Sequence, residues 1–377
     1  MPASSDAYWL ALREVRGVGP RIAKLLLDSF GSPERIFTAG ERAIAEAGVP
    51  RPTARAIAEF RDFERLEQEL CEITKLAARL VRLTDPDYPP NLRHIADPPP
   101  FLYVRGDGPI AEPKCVAVVG ARAASDAGRR MAQRLGLELA AKGVVVVSGL
   151  ARGIDAEAHQ GALDAGGKTF AVLGSGIDVI YPPEHRSLAE KIVGSGGALL
   201  SELRIGSPPV AEHFPTRNRI LSGMCLGVVV VEAAERSGSL ISARMALEQD
   251  RQVFAVPGSP VSGKTRGSNR LLKDGAVLVE CVEDVLAELA PQLVGFGGQK
   301  SSMQVPSTVP AEVAKLDGEH EPDAIAIIKQ LNHEERLHID AIIETTGLQT
   351  SNVLRLLLDL ELKGLVSQHP GKLFSLA

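Results

Sequence analysis

Apolar runs recur between Cys115 and Leu289, and amphipathic stretches separate most of them. In order they read CVAVVG, VVVVSG, TFAVLG, ALLSE, CLGVVVVE, QVFAVPG and AVLVE. Runs so uniformly apolar fit strands buried on both faces, and the helical period between them predicts crossover connections. Together they specify an α/β fold with a mostly parallel sheet covered on both sides. Ligands of such open sheets lie beyond the carboxyl ends of the strands. Those ends carry the unusual sequence here: GARAAS at 120–125, SGLARGID at 148–155, LGSGIDVIYPPEH at 173–185, EAAERSGSL at 232–240 and PGSP at 257–260. FPTRNR at 214–219 opens the helix that precedes CLGVVVVE. Several glycine-rich turns on one edge make an exposed rim of backbone donors.

The most specific turn is VVVVSGLARGIDAEAH, Val144 to His159. Gly149 and Gly153 allow a tight reversal, and the helix that follows starts with its unpaired N–H groups directed back at the turn. That geometry predicts an anion cradle, with phosphate as its usual occupant.

The flanks differ in character. Residues 8–70 read as helices opened by short Gly or Pro turns, as in VRGVGPRIAKLL and AGVPRPTARAIAEF. Residues 83–106, LTDPDYPPNLRHIADPPPFLYVRG, are too broken by proline for a helix and are expected to lie extended across the next domain. Residues 291–322 have no sustained period and many Gly, Ser and Pro, which predicts a mobile linker. Residues 324–376 carry three helical patterns and then two short strands around a Pro-Gly turn, the pattern of a winged helix-turn-helix.

Charge and cysteine content exclude several classes. Net charge is −5, and residues 113–290 hold 20 Lys+Arg against 19 Asp+Glu, so a nucleic-acid site has to be a local concentration of cations. The four cysteines, Cys71, Cys115, Cys225 and Cys281, form no C-x-x-C pair, which argues against zinc and against a disulfide framework. No long apolar segment predicts a membrane span or a signal peptide, and the cytoplasm is the default location.

Enzyme readings lack key residues. A dinucleotide fingerprint needs G-x-G-x-x-G after the first strand and an acid ending the second. Here Arg122 replaces the second glycine and the second strand ends Val147-Ser148-Gly149. No G-x-x-x-x-G-K-[ST] indicates ATP, and no cofactor is expected. Nucleotide-cleaving hydrolases with this sheet plan carry P-G-G-x-G-T-x-x-E. Aligning Gly238-Ser239 with its G-T puts Ser242 in place of the glutamate and leaves Glu232 and Glu235 as substitutes. Asp155 and His159 are spaced for one helix face but lack a third metal ligand. Asp155 is expected to accept N–H bonds at the helix start, and His159, His185 and His213 to be structural.

GARAAS, SGLARGIDAEAH, FAVLGSGIDVIYPPEH, FPTRNRILSG, VVVEAAERSGSLISARMALEQDRQVFAVPGSP and GSNRLLKDGA closely resemble, in order, the core of the DNA-processing protein DprA (Smf) family. The resemblance covers about residues 85–290. It implies a Rossmann-like core at 83–290, a SAM-like helical domain at 1–82, a linker at 291–322 and a winged helix at 323–377. It also implies single-stranded DNA binding, homodimerisation and delivery of the strand to the RecA recombinase in natural transformation or recombinational repair, without catalysis. Arg122, Arg152, Arg217, Arg219 and Arg270 lie in or beside the glycine-rich turns, and arginine forks bind phosphate oxygens bidentately. Ser125, Ser148 and Ser239 and the backbone at Gly120, Gly149, Gly153 and Gly174 are the candidate neutral donors. Asn218 joins them, and Phe214 is a stacking candidate with a core role as its alternative. Aromatics are 4% of the chain, so broad stacking along a strand is not expected. The glycine turn at 17–19 resembles a helix-hairpin-helix. The candidate recognition helix TSNVLRLLLDLELKG carries as many acids as bases, which favours a protein contact or an accessory DNA role.

Overall fold

The computed structural model describes residues 4–295 and, beyond them, residues 327, 331, 337–346, 348, 350–362, 366–369 and 373–376. The chain divides into two compact units, residues 1–298 and 299–377. The first opens with six helices: α1 (Ser5–Glu14), α2 (Pro20–Phe30), α3 (Pro33–Thr38), α4 (Gly40–Glu46), α5 (Arg51–Ala58) and α6 (Phe63–Lys75). Local chemistry sets their ends. Ser4 accepts from the Asp6 amide at 3.2 Å at the start of α1, and Gly31, at φ +79°, closes α2 in a conformation that favours glycine.

A sheet follows. Its strands are β1 (Ala78–Arg82), β2 (Phe101–Arg105), β3 (Cys115–Val119), β4 (Val145–Ser148), β5 (Thr169–Val172), β6 (Ala198–Ser201), β7 (Gly227–Val230), β8 (Gln252–Ala255) and β9 (Val277–Leu278). Their order is β1-β2-β6-β5-β4-β3-β7-β8-β9. From β6 to β9 all neighbours are parallel, while β1 and β2 add antiparallel at one edge. The seven apolar runs are therefore all strands of the parallel part, as their composition predicts.

Both faces of this sheet are buried. Ala117, Val119, Val145, Val147, Phe170 and Val172 point into one core, closed by α11 (His213–Gly223) and α12 (Ser239–Glu248). Val116, Val118, Val146 and Val229 alternate onto the other face, under α8 (Asp126–Ala141), α9 (Ile154–Asp164) and α14 (Val282–Gly295). The remaining helices are α7 (Pro90–Arg93), α10 (Arg186–Gly194) and α13 (Arg266–Lys273).

Two expectations are corrected here. The proline-rich joint is not wholly extended: it contains the single turn α7, and its end is strand β2. The boundary expected at residue 82 is not a break in packing, because β1 is an edge strand of the sheet. Helices α1 to α6 also share a core with β2, β5 and β6 through Leu10, Leu66, Tyr103, Ala171 and Leu199. A buried polar knot reinforces that joint. Glu69 of α6 accepts from the Tyr103 hydroxyl at 2.5 Å and from Arg13 Nη2 at 3.0 Å, so charge and hydrogen bonds are satisfied together. At the other end, α14 runs to Gly295, five residues into the stretch read as linker; the rest of that stretch lies outside the described residues.

The second unit contains β10 (Leu337–His338), α15 (Ile339–Thr346), α16 (Thr350–Leu362), β11 (Val366–His369) and β12 (Leu373–Leu376). Its sheet is antiparallel in the order β10-β12-β11, and Ile342, Val353, Leu357, Leu360 and Phe374 form its core. This is the expected winged helix, whose first helical pattern lies mostly outside the described residues. Among the described residues, no helix is long and apolar enough to cross a membrane.

His159 is fully buried beneath α9, with Nδ1 2.7 Å from Thr169 Oγ1. Thr169 donates its own hydrogen to the Val146 carbonyl, so it accepts from the Nδ1–H, and Nε2 is left bare and unpartnered. Burial pushes the imidazole pKa down to about 3, with His185 and Arg217 adding to the effect. The neutral ring is favoured in the folded state, so its contribution is complete above the unfolded pKa near 6.5 and declines as pH falls from there toward 3. Urea unfolding should show stability falling on acidification through this window. His159→Gln should flatten that slope relative to wild type, and an unchanged slope would contradict the assignment.

Candidate nucleic-acid interface

The strand order reverses at β3: the chain winds through β4, β5 and β6 on one side and resumes with β7 on the other. A cleft of about 750 Å³ opens at this switch point, beyond the carboxyl ends of the strands. It joins the β3 turn at Gly120–Arg122, the first turns of α11 at Phe214, Arg217 and Asn218, and the segment Arg236–Ser239 entering α12.

Four helices begin around this crest, and they divide into two kinds. Glu232, 3% exposed, accepts from the Ser125 amide at 3.1 Å and from its hydroxyl, while Ser125 Oγ caps α8 by accepting from the Gly128 amide at 3.1 Å. Asp155, 6% exposed, accepts from the Gly149 amide at 3.1 Å and the Ala151 amide at 3.3 Å in the turn before α9. The chain's own carboxylates thus fill both the place where a dinucleotide pyrophosphate would lie and the predicted cradle at 148–155. The cradle expectation is corrected accordingly. By contrast, α11 and α12 begin at the cleft with no side-chain cap and no acid in their first turns.

The arginines also divide. Arg122 is exposed, and its guanidinium lies 4.9 Å from the Phe214 ring centroid. That ring packs on Gly174, where a Cβ would come within 2.8 Å of Phe214 Cδ1. Arg217 is buried and donates from Nη1 to the Val172 carbonyl, with its guanidinium against Gly149. Burial brings its pKa down to about 10; Asp155 opposes that shift and Arg122 adds to it. Burial likewise raises the pKa of Asp155, opposed by Arg217 and the two amides. Arg217 Nε has no protein partner.

Expectations that placed surface donors elsewhere are corrected. Ser148 is fully buried and donates to the Val118 carbonyl at 2.6 Å. Arg219 lies on the other side of α11, 6% exposed, where Nη2 pairs with Glu202 and Nη1 donates to the Asp97 carbonyl at 2.5 Å. Arg217 and Arg219 are therefore not the exposed side chains that the motif suggests. Arg152 pairs with Glu184 at 2.5 Å, and Arg270 pairs with Asp274 at 3.0 Å in a separate hollow with Arg266 and Lys273. Gly153, at φ +74°, packs against the Ala121 carbonyl behind the cleft wall. Ser239 lies at the cleft with its hydroxyl 2.8 Å from Ser237 Oγ. Tyr181 and Arg236 also line the cleft and are absent from the residues expected there; both sit inside glycine-rich turns whose composition is itself the signal. Among the described residues no group of three potential metal ligands gathers, at Asp155 and His159 or elsewhere.

A parallel sheet with an open, arginine-bearing cleft at its switch point, joined in one chain to a winged helix, defines a class of nucleic-acid-handling α/β proteins. Residues 79–290 match the model of the DNA recombination-mediator protein A family, and residues 310–372 match the DprA winged helix domain. The chain belongs to that family. It is 36% identical to Protein Smf of Synechocystis over 98% of both chains. The solved structure of DNA processing protein A from Streptococcus pneumoniae superposes with TM-score 0.64 at 35% identity, covering 76% of this chain and 99% of that one. DNA processing protein A from Helicobacter pylori, whose structure was described for its unique single-stranded DNA binding mode, matches with TM-score 0.51 at 28% identity over 57% of this chain and 96% of that one.

The carboxylate of Glu232 is tied up in holding the α8 start, which assigns it a structural task. Glu232→Ala should lower unfolding free energy by about 1–3 kcal/mol, because buried donors lose their acceptor. An unchanged urea midpoint would contradict this.

Proposed function

We propose that this protein binds single-stranded DNA in the cleft at the switch point and delivers the strand to a RecA-type recombinase. The observation that carries this reading is the division of the crest. Glu232 holds the start of α8 and Asp155 the loop before α9, while the first turns of α11 and α12 bring no acid to the cleft beside Arg122. An extended backbone needs separated anion sites along a groove rather than one deep pyrophosphate pocket, and the positive ends of two helices without first-turn acids, with an exposed arginine, supply them. Phe214 and Tyr181, 6.0 Å apart, offer a short aromatic surface for one unstacked base. Family membership and the Helicobacter pylori relative support the same substrate.

The protein acts here by binding and not as an enzyme: Glu232 is committed to α8, and Ser242, at the cleft, cannot do a carboxylate's work. It works in the cytoplasm, in natural transformation or recombinational repair. As a homodimer it presents two clefts to one strand and gains avidity without a new kind of contact. Of the residues selected from sequence, Gly120, Arg122, Phe214, Asn218 and Ser239 contact the strand directly. Arg217 contributes its charge from beneath the surface, while Ser125, Gly149, Gly153 and Gly174 shape the walls.

Polarisation titrations at several salt concentrations should show tighter binding to single strands than to duplex. Arg122→Ala should weaken binding about ten- to hundredfold, the range for removing a charged hydrogen bond. It should also reduce the logarithmic salt slope by roughly 0.7 for each phosphate no longer neutralised. Equal affinity for duplex, or an unchanged slope, would overturn the reading. Recombinase delivery should use a different surface. Charge reversal at exposed Arg244, Glu248 or Glu288 should abolish stimulation of recombinase filament assembly in at least one case while DNA affinity persists. Parallel loss of both in every variant would show one shared surface.

A further inference from the structure

A second cavity, of about 420 Å³, lies on the far side of α11 from the cleft. The turn between α1 and α2 forms one wall with Val18 and Gly19, Pro100 and Phe101 form another, and Thr216 and Arg219 close it from α11. The two hollows share that helix. Phe214, Arg217 and Asn218 serve the cleft, while Thr216 and Arg219 serve the cavity. An α-helix is about 10–12 Å across with its side chains, a distance that a few nucleotides span.

The cavity is not suited to phosphate. Its cations, Arg13 and Arg219, are matched by the carboxylates Asp97 and Glu202. The Arg13 guanidinium already donates to Glu14, Glu69 and Tyr103. What remains is an apolar slot walled by Val18, Pro20 and Pro100, with buried Phe101 at its back and a carboxylate edge. Glu202 is occupied by Arg219 Nη2, whereas the Asp97 carboxylate lies 3.8 Å from Arg219 Nε with 33% of its side chain exposed. A flat neutral heterocycle complements such a slot: its face meets apolar walls, and an amino group can donate to the carboxylate. Bases that present carbonyls to Asp97 would meet like partial charges.

We propose that this cavity receives one unstacked nucleobase bearing an exocyclic amino group, from the strand held in the neighbouring cleft, with Asp97 accepting the amino hydrogen. The inference rests on the single-stranded DNA reading above and adds a point of base preference to a site that otherwise reads backbone. It also gives the turn between α1 and α2 a place along the strand.

The full chain should be titrated with oligo-dC and oligo-dT of equal length. Wild type should favour oligo-dC by about fivefold, the lower end for one good base contact. Asp97→Ala should bring oligo-dC down to the oligo-dT affinity. Thr216→Trp, at an exposed position on the mouth, should remove the preference without disturbing the core, as checked by thermal melting. Arg122→Ala should weaken both oligonucleotides and keep their ratio. Equal wild-type affinities, or a preference that survives both Asp97→Ala and Thr216→Trp, would overturn the base site alone. Failure of wild type to bind either oligonucleotide would overturn the DNA reading and this inference together.

Discussion

Two buried carboxylates decide what the crest of this sheet can hold. Glu232 follows β7 and closes the start of α8, while Asp155 sits in the first turn of α9 and closes the loop that precedes it. In a nucleotide-binding α/β protein these are the places where backbone amides meet phosphate. Once both are filled from within, anion affinity has to come from the next helices round the rim. The helices available are α11 and α12, whose first turns carry no acid. On the proposed reading, the same arrangement lets a core with almost balanced charge attract a polyanion. Arg152, Arg219 and Arg270 are spent on Glu184, Glu202 and Asp274, whereas Arg122 lies over an aromatic ring and meets Asp155 only at longer range.

Much of this fold is legible in the chain because its cause is local. Every apolar run from CVAVVG to AVLVE is a parallel strand; in all but the edge strand β9, burial on both faces leaves no room for polar alternation. The edge strands β1 and β2 are not legible in the same way. ARLVR ends a helical stretch and FLYVR ends a proline-rich one, and each is fixed by pairing with the other and with β6. The boundary expected at residue 82 fails for that reason: the polar knot of Arg13, Glu69 and Tyr103 joins residues far apart in sequence, and composition does not report such contacts.

The site is legible as a set of turns and less so as a set of side chains. Arg217 and Arg219 look alike in FPTRNR, yet a two-residue step along a helix turns a side chain through roughly 200°, so one faces the cleft and the other the cavity beyond. Ser148 reads as an available donor because it ends a strand, but its hydroxyl serves the Val118 carbonyl inside the sheet. Arg236 is easily passed over in EAAERSGSL, where the glycine and serines stand out; the exposed cation between them is what reaches the cleft.

Helix α11 then becomes the element on which recognition turns. Its first turns place Phe214, Arg217 and Asn218 on the cleft, and its opposite face ties Arg219 to Asp97 and Glu202. Arg219 thereby ties α11 to the segment at Asp97 and to the end of β6. Removing one partner of a buried ion pair leaves the other charge uncompensated, so loss of Glu202 or Arg219 is costly. On the proposed reading, a helix tied down in this way leaves more of the ordering cost of binding to the nucleic acid.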